Sequence, residues 1–286
     1  MLSEKKCTLY VYKGQFGLPS VDYKCLQALF TARLKQSHKV EIKSSGFYIT
    51  PYFPMLEYEG QYYTTQANIL KKLEQIIGHT DTKYNVKKSR IEAYKALTYQ
   101  TLEPCITLNF WGNEKNCQYL LKLYGTEKYF PLKLIYLRRM NTYVQDIVTQ
   151  YLQGPPNETK LTDVREALES YFSDIAHLLT IHKYLLGDSP TSLDAYVCGY
   201  LVPIYALNFP DKTVKAMLLR HDTVVKYLLN FLKHYGIKVI PEPSPRNVQN
   251  PDENDRASFG LLATAGFVAM SLMIGYGVVN DIFRIK

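Results

Sequence analysis

No two cysteines stand in C-x-x-C spacing, no two histidines in H-x-H or H-x-x-x-H, and no block of sequence repeats itself. The first gap removes a dithiol redox motif and a zinc knuckle, the second a helical metal pair, and the third a repeat array. The five cysteines, Cys7, Cys25, Cys105, Cys117 and Cys198, are odd in number and widely scattered. A disulfide framework is therefore not indicated, and reduced thiols facing the cytosol are expected. The start, MLSEKKCTLYVYK, has charges with no apolar run behind them. No secretory signal is expected from it, and the sequon at Asn157–Thr159 is expected to stay unglycosylated. Tyrosines number 25, yet no nucleic-acid motif accompanies them, and no nucleic-acid partner is predicted. The net charge of +8 is a weak pointer to acidic partners such as anionic lipid.

Charge is missing from one long stretch. Ala257 to Asn280, ASFGLLATAGFVAMSLMIGYGVVN, carries none. As a helix it would be about 36 Å long, enough to cross a hydrocarbon core of about 30 Å. Buried core helices seldom run so far uncharged, so a single C-terminal transmembrane helix is predicted. Within it small residues recur four apart, at Ala265 and Ala269 and at Ser271 and Gly275, a spacing that permits close helix packing. Ahead of it, IPEPSPRNVQNPDENDR carries Pro241, Pro243, Pro245 and Pro251 among polar residues and reads as an extended tether.

The rest is rich in pattern. CTLYVY puts Leu9 and Val11 on one face and Thr8, Tyr10 and Tyr12 on the other, a half-buried strand. After a turn, Ser20 can cap a helix whose Leu26, Leu29, Phe30 and Leu34 share a face, with Asp22 favourably placed at its positive end. HKVEIKSS reads as a second strand. YFPMLEYEGQYYT suggests a hairpin turning at Glu59 and Gly60. Then Ile69, Leu70, Leu73, Ile76 and Ile77 keep helical spacing until Gly78. From about Val86 strand signals fade, and helical patterns cover 86–110, 115–124, 131–153, 159–185, 191–207 and 213–235. In GDSPTSLDAYVCGYL (187–201), Thr191 and Asp194 have capping-box spacing, which fixes the start of a helix carrying Ala195, Val197, Cys198 and Leu201.

A β-α-β, β-β-α order with proline directly before the third strand resembles a thioredoxin-like domain, and the resemblance makes Pro54 its cis proline. Joined to an all-helical domain that opens a buried helix with Gly187, Asp188, Thr191 and Asp194, it resembles the glutathione transferase superfamily. GLPSVDYKCLQALFTAR (17–33), NFWGNEKN (109–116), YFPLKLIYLRRM (129–140) and GDSPTSLDAYVCGYL together are similar to the metaxin family, over about Leu9 to Tyr235 plus the tail. Segment 38–53 departs from that family's pattern. The fold class is thus expected to be α+β/α and glutathione-transferase-like. The expected divisions are a thioredoxin-like domain (1–80), an all-helical domain (81–238), a proline-rich linker (239–256), a transmembrane tail anchor (257–280) and a short tail (281–286).

Active transferases hold the glutathione thiolate with Tyr, Ser or Cys near the first helix, because an unassisted thiol with pKa about 8.5 is mostly protonated at neutral pH. Tyr12 and Ser20 are the candidates here. Such enzymes also grip the γ-glutamyl group with a Glu-Ser or Gln-Ser pair, and that place reads Thr65 and Gln66. The serine is lost, Ser20 reads better as a plain cap, and Tyr12 as a strand residue. No catalytic, cofactor-binding or metal-binding residue is assigned, no cofactor is expected, and a non-enzyme is predicted. Two basic clusters, Lys71 with Lys72, and Lys83, Lys87 and Lys88 with Arg90, could face an anionic membrane.

The metaxin resemblance implies a tail-anchored protein of the mitochondrial outer membrane with both folded domains in the cytosol. It further implies a subunit of the sorting and assembly machinery, acting beside a barrel-forming core subunit and a second metaxin on β-barrel precursors. Two alternatives stand beside it: a membrane-anchored enzyme that binds or conjugates glutathione, and an adaptor linking mitochondria to transport motors.

Overall fold

Strand β1 (Cys7–Val11) is the axis of the first half. It pairs in parallel with β2 (Glu41–Ser44) and antiparallel with β3 (Met55–Tyr58), and β3 pairs antiparallel with β4 (Gln61–Tyr63), giving the order β2-β1-β3-β4. This computed structural model describes residues 7–35, 39–44, 52–78, 81, 88–126, 128, 132–152 and 158–240. The hairpin turn falls at Glu59 (φ 51°) and Gly60 (φ 78°), positive at both central positions, as a two-residue turn between twisted strands requires. The Phe53–Pro54 bond is cis, where the resemblance put it. Alternation predicts one covered face on β1, but Thr8 and Tyr12 are as buried as Leu9 and Val11. An interior strand between β2 and β3 is covered on both sides.

Helix α1 (Tyr23–Arg33) lies along nearly its whole length in the core. Its cap is Asp22, whose Oδ1 accepts the Cys25 N–H at 2.7 Å, and not Ser20, whose hydroxyl oxygen accepts the Asp22 N–H at 3.3 Å instead. The chain passes Ser20 in a turn and buries Val21 before the helix can start, which moves the cap two residues on. Helix α2 (Gln66–Ile77) buries Ile69, Leu70, Leu73 and Ile77 and stops at Gly78 (φ 62°), as its pattern predicts.

The second half is helical: α3 (Lys88–Ile106) runs into a π-helical turn (Thr107–Trp111), then α4 (Glu114–Tyr124), α5 (Leu132–Leu152), α6 (Glu158–Leu178), α7 (Ser192–Ala206), α8 (Thr213–Leu219) and α9 (Asp222–His234). Two expected helices are shorter than their patterns. The run 159–185 ends at Leu178, and the chain turns through a Tyr184–Gly187 bridge so that the Leu185 N–H can reach Asp194 at 3.0 Å. The run 213–235 is two helices, parted where Arg220 and His221 turn to Glu169 on α6 at 3.2 and 3.0 Å.

Helix α7 is apolar almost all round and buried, the mark of a central helix. Its capping box forms: the Asp194 carboxylate accepts the Thr191 N–H and hydroxyl, both at 2.7 Å. It also takes the Leu185 N–H and the Tyr227 hydroxyl (2.9 Å). Burial pushes this carboxyl up, and the four donors pull against it. One face of α7 packs on α1 at Gly199, where a Cβ would stand 2.3 Å from Gln27 Cγ and 2.9 Å from the Gln27 nitrogen. Only glycine lets the two helices approach so closely.

The predicted span Ala257–Asn280, and the tether from residue 241 onward, lie outside the described residues. Among the described residues no helix is long and apolar enough to cross a membrane.

Candidate functional site

The place where a transferase holds its thiolate is filled from within. Tyr12 is buried, edge-on to Phe53 at 5.1 Å and to Tyr124 at 4.5 Å between ring centroids. Burial first, then Tyr136, Asp22 and Tyr124, pushes its phenol well above the ordinary range. Ser20 is fully buried and spends its hydroxyl oxygen on a backbone N–H. The positive end of α1 is occupied by the Asp22 carboxylate, whose Oδ2 also accepts the Tyr124 hydroxyl at 2.9 Å. Burial pushes the Asp22 carboxyl up, opposed by the Cys25 N–H, Lys24 and Tyr124. Met140, Tyr143 and Val144 of α5 close over these groups, leaving a cavity of about 30 Å³. That is room for about one water molecule.

Thr65 and Gln66 fare no better as a γ-glutamyl grip. Gln66 turns its amide nitrogen onto the Lys24 carbonyl (3.0 Å) and Gln27 Oε1 (2.8 Å), tying α2 to α1. The structure thus brings Tyr12, Ser20 and Asp22 together but seals them, and it uses Gln66 as a strut.

A polar cluster that the sequence reading missed joins the two halves. Glu103 of α3 is buried and accepts the hydroxyls of Tyr23 and Tyr200, each at 2.7 Å, with Lys24 Nζ 3.4 Å away. The two tyrosine rings stack at 5.0 Å. Burial pulls Lys24 down, but Glu103, with Tyr143 and Asp22, outweighs it and holds the ammonium above its ordinary value. The signal was present: Glu103 is a lone carboxylate among Leu102, Cys105 and Ile106 on the covered face of a helical run.

The phrase NFWGNEKN is likewise structural. Asn113 caps α4 through the Asn116 N–H (3.2 Å), and Asn116 donates to the Asn109 carbonyl (2.8 Å) while accepting the Asp211 N–H (2.9 Å). Asn109 Oδ1 receives Arg165 at 3.3 Å, and Phe110 packs on Phe209 at 4.1 Å. The π-helical turn rotates these groups toward the loop at 208–212, which a regular helix would not do. Among the described residues no cluster of three His, Cys, Asp or Glu side chains could hold a metal ion.

These features define a glutathione-transferase-like fold: a solved glutathione transferase from Phanerochaete chrysosporium superposes with a TM-score of 0.53 at 14% identity, covering 79% of this chain and 96% of that one. The family described as glutathione S-transferase, C-terminal domain, matches residues 168–230. The Tom37 family, described as outer mitochondrial membrane transport complex protein, matches residues 25–141. Metaxin-1 of Macaca fascicularis is 26% identical over 299 aligned positions, covering 97% of this chain and 91% of that protein. The metaxin-1 homolog of Caenorhabditis briggsae is 24% identical over 230, covering 77% and 71%. The chain is thus similar to metaxin-1 over nearly its whole length.

Proposed function

We propose that this protein is a non-catalytic subunit of the mitochondrial outer-membrane sorting and assembly machinery. A transport-complex role agrees with the description of the family matched at residues 25–141. In this reading the thioredoxin-like part (1–80) and the helical part (81–238) face the cytosol, residues 239–256 form a tether, and Ala257–Asn280 anchors the chain. The partners are a barrel-forming core subunit, a second metaxin and β-barrel precursors, and the tether raises the effective concentration of the folded part at the insertion site.

The observation that carries the non-catalytic reading is the Asp22 carboxylate on the first turn of α1. A thiolate needs that positive end, and Asp22 already holds it beside a cavity of about 30 Å³, room for about one water molecule and not for a thiol ligand. The test is affinity purification of the tagged full chain from gently solubilised mitochondria, beside a version ending at Arg256, with mass spectrometry of the co-purifying proteins. Recovery of a barrel-forming subunit and a second metaxin with the full chain is expected, with loss on truncation. Absence of both, or tight glutathione binding with turnover in calorimetry, would overturn the reading.

A further inference from the structure

The segment Gly236–Ile240 is a strap laid against the first loop. The Ile240 N–H donates to the Phe16 carbonyl at 2.9 Å, and Gly17 (φ 78°) sits so near that a Cβ would come within 2.0 Å of the Lys238 oxygen. Between this strap, α8 and α9 runs an open groove of about 750 Å³. Its floor includes buried Leu232, and its rim includes Leu219 and Leu229, which are 46% and 43% exposed. The charged residues of its lining are Lys215, Lys233 and Lys238, with no carboxylate among them. A groove of about 850 Å³ between α2 and α3 makes the contrast: there Lys95 pairs with Glu74 at 3.2 Å and Glu92 at 3.6 Å, and Lys24 with Glu103. Three carboxylates, Glu74, Glu92 and Glu103, stand among the four lysines of that lining, so most of its positive charge is answered within the groove.

An apolar floor with a rim of one sign suits an anionic amphiphile, and the volume falls within the range of about 300–1,000 Å³ typical of ligand sites. We infer that the groove beside the strap binds one anionic phospholipid, its acyl chain along Leu219, Leu229 and Leu232 and its phosphate toward Lys233 and Lys238. The inference rests on the membrane attachment proposed above. From Ile240, the 16 residues 241–256 reach at most about 55 Å when fully extended, so the groove stays within range of the headgroups that surround the anchor.

The test reconstitutes the full chain into phosphatidylcholine vesicles carrying a trace of lipid with a diazirine in its acyl chain. The headgroup of that probe is phosphatidylglycerol in one arm and phosphatidylcholine in the other. After flotation and illumination, crosslinked peptides are mapped by mass spectrometry. Labelling within 213–239 should favour the anionic probe by roughly fivefold or more, the worth of about one well-placed lysine. Leu229→Asp, and separately Lys233→Glu with Lys238→Glu, should abolish that preference while the protein still floats. Both are changes to exposed side chains that leave the core intact. Equal labelling by the two probes, labelling indifferent to the variants, or none in protein that floats would overturn the lipid site and leave the attachment standing. Protein that does not float would overturn the attachment and the inference with it.

Discussion

Gly199→Ala is the smallest change that should part the two halves of the molecule. The added methyl would stand 2.3 Å from Gln27 Cγ, 2.9 Å from its backbone nitrogen and 3.1 Å from its Cα. The side-chain contact can be relieved by a rotation of Gln27; the two backbone contacts cannot, because α1 is held between the sheet and α7. Relief requires the helices to separate by something approaching 1 Å, an overpacking cost of about 1–3 kcal/mol. Separation would also stretch the Gln27 amide bond to the Tyr196 carbonyl, now 3.1 Å, and the Tyr23–Tyr200 stack. A lost hydrogen bond adds about 1 kcal/mol, and alanine's better helix propensity returns about as much. The net loss is about 2 kcal/mol, equivalent to a fall in Tm of roughly 4–8 °C for a protein of this size.

The assay is thermal unfolding of the full chain in mild detergent, followed by far-ultraviolet circular dichroism and by the fluorescence of its single tryptophan, Trp111. In a Gln27→Ala background, which itself forfeits the bonds to Tyr196 and from Gln66, Gly199→Ala should cost less than in the parent but still something, since the backbone contacts remain. A Gly199→Ala protein as stable as the parent, or no cost in the Gln27→Ala background, would refute the claim that backbone proximity at Gly199 sets the α1–α7 distance.

Asp194→Ala should be far more damaging, by more than about 3 kcal/mol, because it strands the Leu185 and Thr191 N–H groups and the Tyr227 hydroxyl in the core. Soluble yield and unfolding midpoint measure it, and a loss under about 1 kcal/mol would contradict the four-donor account. Asp22 tests the sign of a buried carboxyl. Its folded pKa is raised above the unfolded 3.8, so its contribution to stability is greatest below that value and is lost as pH rises through the folded pKa. The stability of Asp22→Asn relative to the parent should therefore improve from about pH 4 to pH 7, measured by guanidinium midpoints; a difference that does not change with pH would speak against the assignment. The thiols should be inert in the native protein: all five are buried, with Cys7 pushed up to about 11 and Cys105 to about 12 by burial. A chromogenic disulfide at pH 8 should titrate none within minutes and five in denaturant, and stoichiometric native reaction of Cys25 or Cys198 would show that the core opens.

What could be read ahead of the structure was whatever is decided within a few residues. The turn at Glu59–Gly60, the stop at Gly78 and the box at Thr191–Asp194 each rest on local chemistry, and each is present. What could not be read was decided by distant partners. No glycine or proline marks the break between α8 and α9; Glu169, about fifty residues earlier on α6, draws Arg220 and His221 out of line. Glu103 carried a signal in its apolar setting, but its meaning depends on Tyr23 and Tyr200, 80 and 97 residues away.

The candidate site makes the same point with a functional consequence. Ser20 and Asp22 are both good caps, and the local sequence points to Ser20 where the structure uses Asp22. The choice matters because the first turn of α1 is where this fold can stabilise an anion. With Ser20 as the cap, the helix would have a neutral hydroxyl at its end and a dipole free to face a substrate. With Asp22 as the cap, the dipole is already answered by the protein's own carboxylate, and the outer oxygen of that carboxylate is held by Tyr124 from the end of α4. Tyr124 can reach it because the α4–α5 pair folds back over the first half, bringing Met140, Tyr143 and Val144 onto the same spot. The α4–α5 pair thus both holds the outer oxygen of the cap and closes the cavity. Opening the site for a thiol would require removing Asp22 and lifting α5 together, so single substitutions at Tyr12 or Ser20 should not create transferase activity.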